Sequence, residues 1–413
     1  MVREFEALTI LGWLSGCFPA SCPLTRKVSS YKFRWVSISF LYWICSFSYM
    51  IALAVDFIWN NGAIYFDSVE TVSGKTRRLL TVEIMSWVTW FGYLGSAVVI
   101  RLNSLMYIRE TISMLQNIHL IEALQSEMLV KAKKISGVVP MIDYEKNWGR
   151  RSYLVWFGLE IILGYHVTHL NIEFGKFLTI KSYRSTLFSH VNRQVVVVLY
   201  LLSESCQQLP LRFATWLFVV GGIKLQRLYG QFGNLLEQYW KSPRQNLLLS
   251  GNDQLQLAEM FGHIQDLLNS FNSICGFNFL AIVVVNTMLL VSTLYGVQVE
   301  GQAFELTGFV GHCLVLLFIC GFGYTWETHI QNTKDRVERC KIFRNASYND
   351  KPFSYDEVPP QLTEVTQWFL NWQWSFCPKG VFPLNNTLMP MIVSSVMTYI
   401  IVIFQLKATE GSA

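Results

Sequence analysis

The chain has 413 residues, of which 52% are hydrophobic and only 15% are charged. Soluble domains carry roughly 25% charged residues, so this composition excludes an ordinary soluble protein and indicates a membrane protein. The net charge of +5 is small, and the sequence has neither a basic run nor zinc-ligand spacing, which argues against nucleic acid as a partner.

Seven stretches are apolar enough to cross a bilayer, which takes about 20 residues per helix. They lie at about 33–57, 80–102, 153–170, 195–220, 271–297, 306–326 and 384–406. The sequence therefore predicts an all-α protein, with seven membrane-spanning helices forming one integral membrane domain over residues 1–413. Pro210 falls inside the fourth predicted span, where we expect a kink.

Basic residues are distributed unevenly over the segments that join the predicted spans. Roughly three times as many lie on the side that holds the N-terminus as on the other side, which places the N-terminus in the cytosol and the C-terminus outside the cell. This orientation is opposite to that of a G-protein-coupled receptor. Helical apolar spacing in the long inside segments predicts an intracellular anchor, with helices at about 103–134, 222–268 and 330–376.

Polar and ionisable side chains inside spans are costly, so each of them is a candidate functional residue. Aromatic walls with a few polar groups are what a small-molecule cavity requires, and the sequence predicts such a cavity in the outer half of the bundle. The candidate ligand-binding residues are Glu83, Trp87, Trp90, His166, His169, Tyr200, Glu204, Gln208, Asn286 and His312. The alternative is structural hydrogen bonding between helices, and we assign that role to Glu160 and Arg212.

Enzyme signatures are absent from the sequence, which has no phosphate-binding glycine loop, nucleophile elbow or metalloprotease helix. His166 and His169 share a helix face and could bind a metal, but a pocket-lining or hydrogen-bonded pair is the favoured interpretation. We therefore predict no enzymatic activity, no cofactor and no metal site.

The seventh predicted span carries the most informative pattern. Thr398 and Gln405 are seven residues apart and so share one face of a helix, with an apolar stretch that includes Val402 between them and Leu406 after them. Around a symmetry axis, that face would form an apolar pore wall with a polar ring. An ordinary lipid-facing helix with polar ends is the alternative, and the periodicity leaves both open.

The same segment resembles the C-terminal signature of insect gustatory receptors, which reads Thr-Tyr, five hydrophobic residues, then Gln-Phe. Here Thr398 and Tyr399 are followed by five apolar residues and Gln405, with Leu406 in the position of the Phe. The preceding Gly-Val-Phe at 380–382 is similar to the Gly-Leu-Phe of the family. The chain length, the seven spans, the orientation and the long inside helices agree with the family over the whole sequence.

The resemblance implies a ligand-gated, non-selective cation channel in the plasma membrane of sensory neurons, with multiple membrane passes and no requirement for a G protein. It implies a homotetramer, or a heterotetramer with related subunits, whose seventh helices line the pore. Carried over by position, the pore or gate residues are Thr398, Val402, Gln405 and Leu406.

The expected partners are membrane lipid and a small-molecule tastant. Sugar-receptor relatives often have an acidic residue where this chain has Ile400, and aromatic side chains beside carboxylates suit cationic molecules, so a bitter or other non-sugar tastant is favoured over a sugar. The alternatives are a subunit of the odorant-receptor type and a small-molecule transporter, although transporters usually show an internal repeat that this sequence lacks.

Overall fold

The structure is a computed structural model that describes residues 2–20, 31–59, 69–72, 75–78, 80–136, 154–162, 164–165, 168, 172, 190–241, 251–300, 303–349, 360–381, 383–384 and 387–412. Nearly all of these residues are helical, which confirms the predicted all-α class. A short antiparallel ladder, β1 with β2, is an addition that the sequence did not predict. The elements are α1 (Val2–Leu14), α2 (Ile38–Phe57), β1 (Val69–Val72), β2 (Lys75–Arg78), α3 (Leu80–Met106), α4 (Ile108–Ser136), α5 (Arg193–Lys241), α6 (Gly251–Glu300), α7 (Ala303–Asn349), α8 (Pro360–Asn371) and α9 (Leu388–Ser412).

Membrane-crossing capacity differs among the described helices. Three are long and apolar enough by themselves: Ile38–Phe57, Leu255–Leu294 and Leu306–Arg344. Trp90–Met106 and Ile108–Val130 form a fourth candidate if this pair, bent by 67°, is counted as one span. Leu388–Val402 is a shorter apolar helix. The total of seven spans stays a prediction.

Helices α5, α6 and α7 have 49, 50 and 47 residues and run without interruption from predicted spans into the predicted anchor. At 1.5 Å per residue each is about 70 Å long, more than twice the roughly 30 Å hydrocarbon layer. The three helices pack against one another, so one continuous hydrophobic core runs from the predicted spans into the predicted anchor.

The chain bends sharply at Tyr107, between α3 and α4. Beyond the bend, α4 packs against α5 and α6. The assignment of residues 103–134 to an intracellular anchor stays a prediction. Gln125 of α4 donates a hydrogen bond to the Leu228 carbonyl at 2.8 Å, and Lys224 forms an ion pair with Glu122 at 3.2 Å. These polar contacts fix the register between α4 and α5.

Helix α5 continues through Pro210. Proline has no amide hydrogen, so the carbonyl four residues earlier, on Cys206, loses its helical donor. The Arg101 side chain is fully buried, and its Nη2 donates to that carbonyl at 3.4 Å. Nη1 of the same guanidinium donates to Ser46 Oγ on α2, so Arg101 joins three helices.

The segment that precedes α9 is held by an aromatic cluster. The Phe376 ring lies 5.2 Å from that of Phe218, 5.7 Å from that of Phe271 and 5.4 Å from that of Phe279, measured between centroids. The Leu384 amide donates to the Phe376 carbonyl at 2.8 Å, which closes a loop. A Cβ at Gly323 would lie 2.4 Å from the Leu384 carbonyl oxygen, so only glycine allows this close approach.

Helix α9 buries one face and exposes the rest of its surface. The buried positions are Leu388, Ile392 and Val396, which follow a spacing of four and face α3, α6 and α7. Met397, Tyr399 and Val402 are exposed apolar residues on its other sides. In a single subunit, α9 is therefore attached along one narrow stripe.

Candidate functional site

A polar chamber lies inside the bundle where the 154–162 helix, α3, α5, α6 and α7 meet. Its cavity volume is about 30 Å³. By the same measure a water molecule needs about 10–15 Å³, so the chamber has room for a few heavy atoms. The lining residues are Tyr93, Trp156, Glu160, Gln208, Leu211, Arg212, Thr215, Asn286, His312 and Val315.

Charges of both signs face this chamber. Arg212 of α5 forms a hydrogen-bonded ion pair with Glu160, through Nη1 and Oε2, and both side chains are 18% exposed. The second carboxylate oxygen, Oε1, is buried and accepts no hydrogen bond from the described residues. An ion pair that is largely shielded from solvent is costly to desolvate and contributes little net stability, which makes it a candidate for function.

The opposite wall of the chamber is an imidazole–amide pair. His312 Nδ1 lies 2.9 Å from Asn286 Oδ1, and Asn286 Nδ2 donates to the Ile282 carbonyl at 2.7 Å. Because that second bond orients the amide, Oδ1 is the acceptor and the proton is assigned to His312 Nδ1. The pair links α6 to α7 and presents hydrogen-bonding groups from two helices to the same space.

A separate aromatic cluster lies between α2, α3 and α5. The Tyr200 hydroxyl hydrogen-bonds to the Asp56 carboxylate, which is 4% exposed, and the Phe57 ring lies 5.8 Å from the ring of Trp90. Tyr49 of α2 donates to the Leu199 carbonyl at 2.6 Å, which fixes α2 against α5. Sequence reasoning missed Asp56, although an acidic residue inside a predicted span is the signal used for the other candidates.

A third feature is an open apolar groove between α3 and α6, with a volume of about 560 Å³. Gly92 and Gly95 provide the space on α3, and Trp87, Phe91 and Met288 form part of the walls. Hardly any polar surface lines the groove, so it offers contact without directional hydrogen bonds. Trp87 faces this groove and stacks on Phe91 at 5.2 Å.

The predicted ligand-binding residues thus fall into separate places. Gln208, Asn286 and His312 meet at the polar chamber, whereas Trp90 and Tyr200 belong to the aromatic cluster. His166 and His169 lie outside the described residues. Glu83 and Glu204 lie on α3 and α5, but their side chains are outside the described part of the structure.

Glu160 and Arg212 received a structural role from the sequence, yet they line the chamber as well as pairing with each other. Their opposite charges inside two predicted spans were the sequence signal that could have marked both as residues of the chamber. Tyr93, Trp156 and Thr215 carried no such signal, because side chains of these types occur throughout membrane bundles.

The predicted pore residues all lie on α9. Thr398, Val402 and Gln405 are exposed and occupy the face opposite Ile392 and Val396. Leu406 follows on the same helix, with its side chain outside the described part. The exposed face carries polar groups at both ends and apolar residues between them, and it is available to a neighbouring subunit or a pore.

Among the described residues, no group of three or more His, Cys, Asp or Glu side chains could hold a metal ion. The chamber itself offers one carboxylate and one imidazole, with amide and hydroxyl groups around them. This arrangement is suited to binding a small polar molecule through hydrogen bonds.

The architecture defines a class: an all-α membrane protein with helices much longer than a bilayer is thick and with a polar chamber inside the helix bundle. The chain matches the structure of the insect olfactory receptor OR5 from Machilis hrabei with a TM-score of 0.67, over 98% of each chain and at 12% sequence identity. It matches the same receptor in complex with eugenol with a TM-score of 0.61, over 98% of each chain and at 10% identity. No protein-family model and no curated protein matches the sequence. The likeness shows that the chain has the fold of this receptor.

Proposed function

We propose that the protein is a chemosensory receptor of the gustatory type that acts as a ligand-gated, non-selective cation channel. The observation that carries the proposal is the likeness in fold to an insect olfactory receptor over 98% of the chain. That receptor has been captured with the small molecule eugenol, which supports a small-molecule ligand here. The Thr398-Tyr399 to Gln405 ending favours the gustatory type.

A receptor subunit of the odorant type is the second candidate, because both structural neighbours are olfactory receptors. In either case the ligand would occupy the polar chamber, and four copies of α9 would surround the pore. The apolar groove between α3 and α6 would contact lipid acyl chains of the plasma membrane.

Gating follows from a difference in ligand affinity between two states. A ligand that binds the chamber more tightly when the channel is open shifts the population towards the open state. The narrow attachment of α9 lets this helix move relative to α6 and α7, so the apolar ring at Leu406 widens and fills with water. Cations then pass the ring of Gln405 side chains.

The test is an electrical recording from a silent cell that expresses the chain alone, with sugars, alkaloids, amino acids and volatiles applied while G-protein signalling is blocked. We expect a ligand-evoked cation current. Gln405→Glu should shift the reversal potential without changing ligand sensitivity, whereas Asn286→Leu should change ligand sensitivity without shifting the reversal potential. Glu237→Gln, on the anchor, is the matched control for both.

Two outcomes would contradict the proposal. The first is a chain that reaches the cell surface, alone and with related subunits, yet gives no current with any ligand of the panel. The second is a current that disappears when G-protein signalling is blocked. Responses confined to volatile ligands would instead support the odorant type.

A further inference from the structure

The Glu160–Arg212 pair leaves one carboxylate oxygen of Glu160 without a partner among the described residues. One nitrogen of the guanidinium, Nη1, contacts one oxygen of the carboxylate, Oε2. The other oxygen, Oε1, is buried and accepts no hydrogen bond from the described residues. A ligand in the chamber can therefore donate to Glu160 Oε1 without displacing Arg212, and the guanidinium lines the same cavity.

The charge of a suitable ligand is restricted by the low dielectric of the site. Buried charges need compensation, and the chamber already contains one charge of each sign on Glu160 and Arg212. A cation would lie near Arg212 and an anion near Glu160, so a ligand with net charge meets repulsion on one side. A neutral molecule with separated charges meets attraction at both ends.

The donor and acceptor groups favour a particular pairing. The planar guanidinium of Arg212 matches a carboxylate, and the Glu160 carboxylate matches an ammonium group. Gln208, Thr215 and Asn286 add neutral hydrogen-bonding groups around the pair. The cavity volume of about 30 Å³ limits the ligand to a few heavy atoms.

We propose that the polar chamber binds a small zwitterion, the chemical class of free amino acids with short side chains, with its ammonium group at Glu160 and its carboxylate at Arg212. The inference rests on the proposed function insofar as this chamber is the ligand site. It narrows the bitter or other non-sugar tastant expected from the sequence to a zwitterion, because Arg212 lines the chamber together with Glu160.

The test measures binding to the purified full-length chain as a shift of the thermal unfolding midpoint. Glycine and alanine are the zwitterions, methylamine is the cation, acetate is the anion, and ethylene glycol is the neutral polar molecule. We expect a saturable rise of the midpoint with the two zwitterions and none with the other three at equal concentration and ionic strength. An equal rise with methylamine or ethylene glycol would overturn the inference, as would the absence of a rise with glycine.

Variants locate the site. Glu160→Gln and Arg212→Gln should each raise the half-saturating glycine concentration at least about tenfold, because a hydrogen bond to a charged group contributes more than one power of ten in affinity. Glu237→Gln, which alters an ion-pair network in the anchor, is the matched control and should leave glycine binding unchanged. Unchanged glycine affinity in both chamber variants would place the binding elsewhere and refute the assignment.

If Glu160→Gln and Arg212→Gln fail to fold, Gln208→Glu is the variant that tests the site. It keeps the shape of a buried lining side chain and adds one negative charge to the chamber. Preference should then move from glycine to methylamine. An unchanged order of ligands would contradict the proposal.

The binding test and the electrical test separate the two proposals. A glycine-induced shift of the unfolding midpoint without any ligand-evoked current would contradict the channel function and support the zwitterion site. A current evoked by other ligands, with no shift of the unfolding midpoint by glycine, would contradict the zwitterion site and support the channel function.

Discussion

At the scale of single residues, the Cys206 carbonyl connects two positions that are far apart in sequence. Pro210 removes the helical donor of this carbonyl, and Arg101 supplies another from α3 at 3.4 Å. A buried carbonyl without a partner costs about 1–3 kcal/mol. Arg101 and Pro210 should therefore be energetically coupled. The sequence could not show this, because the two residues lie on different helices.

A double-mutant cycle measures this coupling. Arg101→Met should destabilise the wild-type chain more than it destabilises Pro210→Ala, by about 1 kcal/mol, because the alanine amide restores the helical bond to Cys206. The measurement is the free energy of unfolding of the four proteins in detergent. Equal effects of Arg101→Met in the two backgrounds would show that the guanidinium does not serve this carbonyl.

Tyr229 carries a buried hydroxyl on α5, beyond the predicted span at 195–220. Its ring stacks on Phe369 of α8 at 5.0 Å, and its hydroxyl has no hydrogen-bond partner among the described residues. Burial raises the pKa of this phenol, because the charged form would lose its hydration. The ring therefore contributes packing, whereas the hydroxyl contributes a desolvation cost.

Tyr229→Phe should stabilise the protein by about 1 kcal/mol at neutral pH, because it removes an unsatisfied buried group. Because burial raises the pKa of Tyr229 in the folded state, the unfolded chain ionises first, and the free energy of unfolding falls as the pH rises above about 10. The advantage of the variant should therefore grow above that pH.

The measurement for this prediction is the thermal unfolding midpoint at neutral and alkaline pH. Tyr31→Phe is the matched control, since the Tyr31 hydroxyl contacts Thr9 Oγ1 at 3.3 Å and its removal should not stabilise the chain. A destabilised Tyr229→Phe would contradict the interpretation.

How much of the site the sequence could predict depends on the residue. Polarity inside a predicted span was sufficient to find Gln208, Asn286 and His312, which meet in the chamber. It could not show that Tyr200 pairs with Asp56 in a different cluster, because span patterns do not fix how helices are rotated against one another. That these residues bind a ligand stays a prediction.

At the scale of elements, the sequence predicted where helices form, but it did not predict that a span and the following anchor helix form one uninterrupted helix. Gly221 and Gly222 lie where a predicted span ends, and adjacent glycines weaken a helix. In the structure, α5 continues through both, since the absence of their Cβ atoms makes room for Phe271 and Phe322, at distances of 2.8 and 2.7 Å from ideal Cβ positions. Tertiary packing decided the outcome, and local propensity did not.

Helix α9 is the element that carries the gate assignment. Leu406→Ser should raise the ligand-free current several-fold, because a polar ring hydrates more readily than an apolar one. Val393→Ser is the matched control, since Val393 is exposed on a different side of α9 and should leave this current unchanged. The measurement is whole-cell current without ligand, normalised to surface expression. A basal current equal to that of the wild type would move the gate away from Leu406.

At the scale of the whole molecule, the similarity in fold leaves the orientation in the membrane as a prediction from charge. The excess of basic residues predicts an N-terminus inside the cell and a C-terminus outside. An epitope tag at the C-terminus should therefore be stained on intact cells, and a tag at the N-terminus only after permeabilisation. The same C-terminal tag is also placed on the Leu406→Ser chain. Equal staining of the two tagged chains on intact cells would show that the gate substitution does not change the orientation in the membrane. The reverse staining pattern would refute the orientation.

The three uninterrupted helices α5, α6 and α7 also have a mechanical consequence. A continuous helix of about 70 Å cannot tilt at one end without moving the other end. A tilt of these helices at the chamber therefore also moves their ends in the predicted anchor. The stretch at 372–387 is non-helical among its described residues apart from one short turn, and the packing of Phe376 and Leu384 fixes it to these helices. Movement of the three helices is therefore transmitted through this stretch to the start of α9.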